Sequence, residues 1–164
     1  MNGPAAIRAA LSSTKDILEW YVKDLSDADI LVRPVPGANH TAWQIGHLIY
    51  ADYGLVAEQL PDAKFPPLPD GFKDAHSTAR ASAEGSDGFL TNDEYVTLFG
   101  QVRKATIEAV ATLTDADLDR PTIGNMAGFA PTLGDLLLMV ATHTFMHAGQ
   151  ITVLRRKLGK PVLF

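Results

Sequence analysis

His143 and His147 stand four apart in the stretch "THTFMHAGQI", residues 142–151. On a helix, residues four apart have β-carbons about 5 to 6 Å from each other on one face, so two imidazoles can turn towards one ion at about 2.0 to 2.1 Å. The row they belong to is otherwise apolar: Leu133, Leu136, Leu137, Val140, His143, His147, Ile151, Leu154 and Leu158. Both rings are therefore predicted to face a core. Burying a polar group without a partner costs on the order of 1 to 3 kcal/mol, so two on one row need a shared explanation. A hydrogen bond to a backbone carbonyl would explain one of them; coordination of a metal explains both. A third imidazole, His47 in "WQIGHL" at 43–48, is predicted on the inward face of another helix with Gln44, Leu48, Ala51 and Leu55. Three neutral imidazoles complete a tetrahedral set with one position open for water or substrate. Zinc, nickel, copper and ferrous iron all suit such donors.

Around the three histidines the sequence offers supporting candidates. Gln150, three residues after His147, shares its face and either orients a ligand imidazole or makes an ordinary interhelical hydrogen bond. Trp43, one turn before His47, either walls a pocket or packs. Tyr50 carries a phenol that could donate a proton. His40, before the second helix, and His76, in a polar connection, are expected in solvent. No acidic residue reads as a general base on the inward faces of the second and fourth helices at the level of the histidines, and the catalytic residues stay open. Asp135 lies two turns before His143, roughly 12 Å along the axis, and helical spacing turns Asp52 and Glu58 away from the His47 face. A hydrolytic reaction would want a base beside its water, which counts against hydrolysis.

The elements that must position these residues are helices. Ile7, Leu11, Thr14, Leu18, Tyr21 and Leu25 form one stripe over about residues 4–25. A second helix begins near "NHTAWQ", where Thr41 and Gln44 have capping-box spacing, and runs to Leu60 before Pro61. A third opens at "TNDE", with Thr91 and Glu94 as a capping box, and continues to Leu113. The fourth starts near Pro131 or Thr132 and stops before Gly159 and Pro161. Residues 61–90 are rich in Pro, Gly, Ser and Asp and read as a long crossover with one short helical turn. Antiparallel neighbours need only a few linking residues, whereas about 30 can run back along a bundle, so the second and third helices are predicted parallel.

The helix pair is written twice. "LSDADI" at 25–30 returns as "LTDADL" at 113–118, and "QIGHLI" at 44–49 returns as "TLGDLL" at 132–137, both at an offset of 88. A pseudo-twofold four-helix bundle, all-α and spanning residues 1–164 as one domain, is the natural architecture. His143 and His147 correspond to Leu55 and Gln59, so the histidines depart from the repeat.

Composition excludes several classes. The 164 residues include no cysteine, so no disulfide, thiolate ligand or cysteine nucleophile is available, and any thiol must come from outside. A formal charge of -5 leaves no basic face for nucleic acid. The one basic cluster, Arg155, Arg156, Lys157 and Lys160, reads as a solvated last turn complementing the helix dipole, or alternatively as an anion clamp. No stretch reads as a membrane span or a targeting segment, and a soluble, cytoplasmic protein is expected.

Together, "WQIGHL", "THTFMHAGQITVLRRKLGKP" at 142–161, "RPVPGANHTAW", "TLGDLL" and the long crossover resemble the DinB/YfiT-like superfamily of metal-binding four-helix bundles. The resemblance covers nearly the whole chain. It implies an up-down-down-up bundle, a divalent metal held by His47, His143 and His147 (Zn2+ or Ni2+ foremost, Fe2+ next) and a homodimer. It further implies thiol-dependent transfer or isomerisation, with bacillithiol, mycothiol or glutathione as cosubstrate; a bound cation lowers the pKa of a coordinated thiol. A small-molecule substrate follows. The alternatives are a metal-dependent hydrolase and a dimeric bundle that binds metal or ligand without turnover.

Overall fold

The structure, a computed structural model, describes residues 1–82, 85 and 87–163. Four long helices carry it: α1 (Gly3–Val22), α3 (Thr41–Gln59), α5 (Asn92–Ala111) and α7 (Leu133–Lys157). Single-turn helices α2 (Asp27–Ile30), α4 (Phe72–Ala75) and α6 (Asp115–Leu118) lie between them, and no strand occurs among the described residues. The crossover at 61–90 is present with α4 inside it; residues 83, 84 and 86 lie outside the described set.

The caps explain most boundaries. Thr91 and Glu94 close a capping box on α5, as do Thr132 and Asp135 on α7. The start of α3 differs from the sequence expectation: His40 is the N-cap, its Nδ1 accepting from the Trp43 amide at 3.1 Å, and Thr41 is the first helical residue. An imidazole nitrogen can accept from an orphan amide as a hydroxyl does. His40 is consequently buried, against the expectation that it sits in solvent.

Each of α1 and α3 packs against both α5 and α7. Arg155 near the end of α7 binds the Tyr21 carbonyl at the end of α1, so these two run parallel. Asn92 at the start of α5 donates to the Val22 carbonyl, so α1 and α5 are antiparallel. His76 joins the early turns of α3 and α5, which makes them parallel, and Gln44 meets His147 across antiparallel α3 and α7. The topology is up-down-down-up.

One polar layer crosses the interior. Arg103 of α5 donates to Asp52 of α3 (2.8 Å), Thr14 of α1 (3.0 Å) and Thr144 of α7 (2.7 Å), one partner from each other long helix. All four are buried. The layer lies between a cluster around Leu18, Ile45, Phe99 and Ile151 and another around Ile7, Leu11, Leu133 and Leu137. Asp52 turns from the His47 face, as its helical spacing predicts, yet inwards rather than to solvent. Helix α3 has two inward faces, His47 turning towards α7 and Asp52 towards α5, where the Arg103 guanidinium compensates its charge.

The basic end of α7 is only partly the solvated turn expected: Arg156 and Lys157 are exposed, whereas Arg155 is not. Arg155 is buried and grips Asp24 through two nitrogens, and Lys157 and Lys160 donate to the carbonyls of Arg33 and Asp24. Arg155 holds the Asp24 carboxyl below the usual carboxylate range. By length and composition alone α7 could cross a membrane, yet its residues Leu136, Leu137, Val140, Ile151 and Leu154 are buried in the bundle.

Candidate metal centre

Antiparallel packing of α3 and α7 brings the early turns of one against the later turns of the other, and the three predicted imidazoles meet there. Ring centroids are 5.2 Å apart for His47 and His143, 5.6 Å for His47 and His147, and 4.8 Å for His143 and His147. One nitrogen from each ring lies within 4.8 Å of the others. The Nε2 atoms of His143 and His147 are 3.1 Å apart. Two ligands at about 2.0 to 2.1 Å and a tetrahedral angle would be about 3.3 Å apart. The donor set fits one divalent ion, with no acidic or further histidine ligand in the group among the described residues.

The rings are in the state a ligand requires. Burial, followed by the neighbouring imidazoles His143 and His47, pushes His147 down to about 3. Burial also lowers His143 to about 4, aided by His47 and the Arg103 guanidinium. His47 falls for the same first reason, opposed by a hydrogen bond from its ring to the backbone of His76. Neutral imidazoles can coordinate without first losing a proton.

The surroundings of each ring differ. Trp43 stacks on His47 at 4.7 Å with planes 6° apart, and its Nε1 donates to the Ser77 carbonyl at 3.1 Å. It thus ties the crossover to His47. Gln150 contacts His147 Nδ1 through Oε1 at 3.1 Å, as a ligand-orienting residue should. Tyr50 is not brought to the trio: Lys73 Nζ lies 5.7 Å over its ring, and no contact with the three imidazoles occurs among the described residues.

His76 overturns the expectation of a solvated side chain. It is fully buried, its Nδ1 donating to the Phe72 carbonyl at 2.7 Å and its Nε2 accepting from the Tyr95 hydroxyl at 2.7 Å. Burial keeps Tyr95 protonated by raising its pKa. The His76 ring lies directly on Gly46, where a β-carbon would overlap it. The glycine before His47 is therefore the space through which the crossover reaches the site.

The chain matches the sequence profile of the DinB superfamily over residues 10–151. It belongs to the DinB superfamily. No curated protein matches it in sequence. Among solved structures it is similar to YfiT from Bacillus subtilis, described as "a probable metal-dependent hydrolase with an unusual four-helix bundle topology". That likeness has a TM-score of 0.69 at 15% identity and covers 96% of this chain and 89% of that one. At that identity it speaks for the shared bundle.

In this DinB chain, two residues that touch the imidazoles escape the sequence reading. His76 was hidden because a crossover has no period to read, although "GFKDAH" following a proline-rich run marks a returning apolar turn. Gln44 was placed on the inward face but not against His147, whose Nδ1 it meets at 3.2 Å.

Proposed function

We propose that this DinB protein is a divalent-metal-dependent enzyme in which His47, His143 and His147 hold the ion, and that it transfers an external low-molecular-weight thiol to an electrophile. The observation that carries the reading is a group of three neutral imidazoles without a fourth acidic or histidine ligand among the described residues. A structural site would be closed by a fourth protein ligand. A cation bound there would act as a Lewis acid, lowering the pKa of whatever occupies its open position.

The chain's own residues supply orientation and dryness. Trp43 covers one face of His47, the His76 backbone holds its ring, and Gln44 and Gln150 hold His147. In net terms an S–C bond forms, the bond to the leaving group breaks with its electron pair, and the thiol proton passes to solvent. Such a reaction needs no protein base, which agrees with Asp52 being committed to Arg103. Hydrolysis is the second reading, favoured by the description of YfiT. Zinc and nickel are the proposed ions.

The test is protein purified without a nickel column, loaded with zinc or nickel, and assayed with glutathione, bacillithiol and mycothiol against an activated aryl halide, beside an ester and amide panel without thiol. Metal-dependent conjugation supports transfer. Metal-dependent cleavage without thiol shifts the reading to hydrolysis, and a metal-loaded protein inert in both panels supports a binding role. The proposed macromolecular partner is a second copy of the chain, since Leu138, Phe145, Met146 and Val153 are exposed on one face of α7.

A further inference from the structure

The three imidazoles can bind one ion only if each presents a bare nitrogen to it, and a neutral imidazole has only one such nitrogen. For His147 the choice is between Nδ1 and Nε2. Nδ1 faces two carboxamides, Gln44 at 3.2 Å and Gln150 at 3.1 Å, while Nε2 faces His143. A carboxamide can either donate to an imidazole or accept from it, depending on which way round it lies.

Gln150 is exposed, and its nitrogen has no hydrogen-bond partner among the described residues, so either orientation is open to it. Gln44 has no such freedom. It is 2% exposed, and its Nε2 lies 2.8 Å from the Asn39 carbonyl, which can only accept. The amide must therefore turn its nitrogen to Asn39 and its oxygen to His147, and an oxygen there requires a proton on Nδ1.

The Asn39 carbonyl is itself held. It ends the "RPVPGAN" turn, in which Gly37 takes φ +80° and Ala38 donates to the Val35 carbonyl. Arg33 donates to the Ala38 carbonyl at 2.7 Å, and Lys157 to the Arg33 carbonyl at 2.7 Å. A loop with no ligand of its own thus reaches the metal centre through one buried amide.

We propose that Gln44 is the positioning residue of the site: anchored on the Asn39 carbonyl, it fixes His147 in the Nδ1–H tautomer and so presents Nε2 to the ion. The inference rests on the metal reading above. Outer partners that orient a ligand imidazole typically contribute 10- to 100-fold in metal affinity.

The test uses the full chain and zinc alone. Long-range 15N spectra of the metal-free protein should show His147 protonated on Nδ1. Gln44→Met keeps the volume and loses the acceptor; it should leave the helix content unchanged, mix the two tautomers and weaken zinc binding by roughly 10- to 100-fold in competition with a chromophoric chelator. Gln150→Ala should cost less. Nε2–H as the main tautomer of His147 in the unmutated protein would overturn the inference, and so would a Gln44→Met variant with unchanged zinc affinity. Should Gln44→Met fail to fold, the tautomer spectrum of the unmutated chain decides. A chain that binds no zinc at all would refute the metal reading, and that spectrum would still decide the role of Gln44.

Discussion

His147 is 4% exposed and His143 half-buried, and burial has taken from both rings the proton each would carry in the unfolded chain at mildly acid pH. The unfolded value is near 6.5, whereas the folded rings sit at about 4 and about 3. Between these limits the unfolded state binds protons that the folded state does not, so stability rises with pH. It is complete above about 6.5, declines as the pH falls below that, and is fully lost once the pH has fallen through the folded values. A single fully buried ring changes stability by up to about 1.4 kcal/mol per pH unit in that window, and the less deeply buried His143 contributes less. Urea titrations of the metal-free protein should show the midpoint rising from pH 5.5 to 7.5 by more in the unmutated chain than in His147→Ala; an equal change in the two would contradict the buried, neutral ring of His147. The three imidazoles were legible because polar rings on inward, largely apolar helix faces are a local contradiction. His40 and His76 were not, since their burial depends on Phe89 and on the space over Gly46, which are remote in sequence.

The helices were legible wherever period and caps agreed. Thr91 and Thr132 mark the starts of α5 and α7, while the twin single-turn helices α2 and α6 follow from Ser26 and Thr114 at the same offset. The polar layer between the helices was less visible. Thr14 fills a gap in the α1 stripe, but Arg103 looks like a surface residue until Phe99, Thr106 and Val110 are seen to be buried on its own face. Removing one partner of a buried ion pair leaves an uncompensated charge and typically costs 3 to 5 kcal/mol, whereas replacing both is often neutral or better. Asp52→Leu should therefore destabilise the bundle by about 3 to 5 kcal/mol in chemical denaturation, and adding Arg103→Met should recover most of the loss. A double variant no more stable than Asp52→Leu would mean that the layer is needed for the fold itself.

Across the whole molecule the two halves lock each other. Asp27 of α2 accepts from the Asn92 amide at the start of α5, and Asp115 of α6 accepts from the Gly3 amide at the start of α1, both at 2.8 Å. Each half caps the first long helix of the other, a reciprocity that the duplicated "DAD" announces. The halves differ in the imidazoles and in the long crossover, and the crossover returns to the imidazoles through His76 and Ser77. The exposed apolar face of α7 predicts a dimer in light scattering, with Phe145→Glu shifting the chain to monomer; a wild-type monomer at micromolar concentration would contradict it. The most direct measurement is elemental analysis of protein produced in zinc-supplemented medium and purified without an immobilised metal. One divalent ion per chain is expected in the unmutated protein and almost none in His147→Ala, while equal metal content in the two would contradict the three-imidazole site.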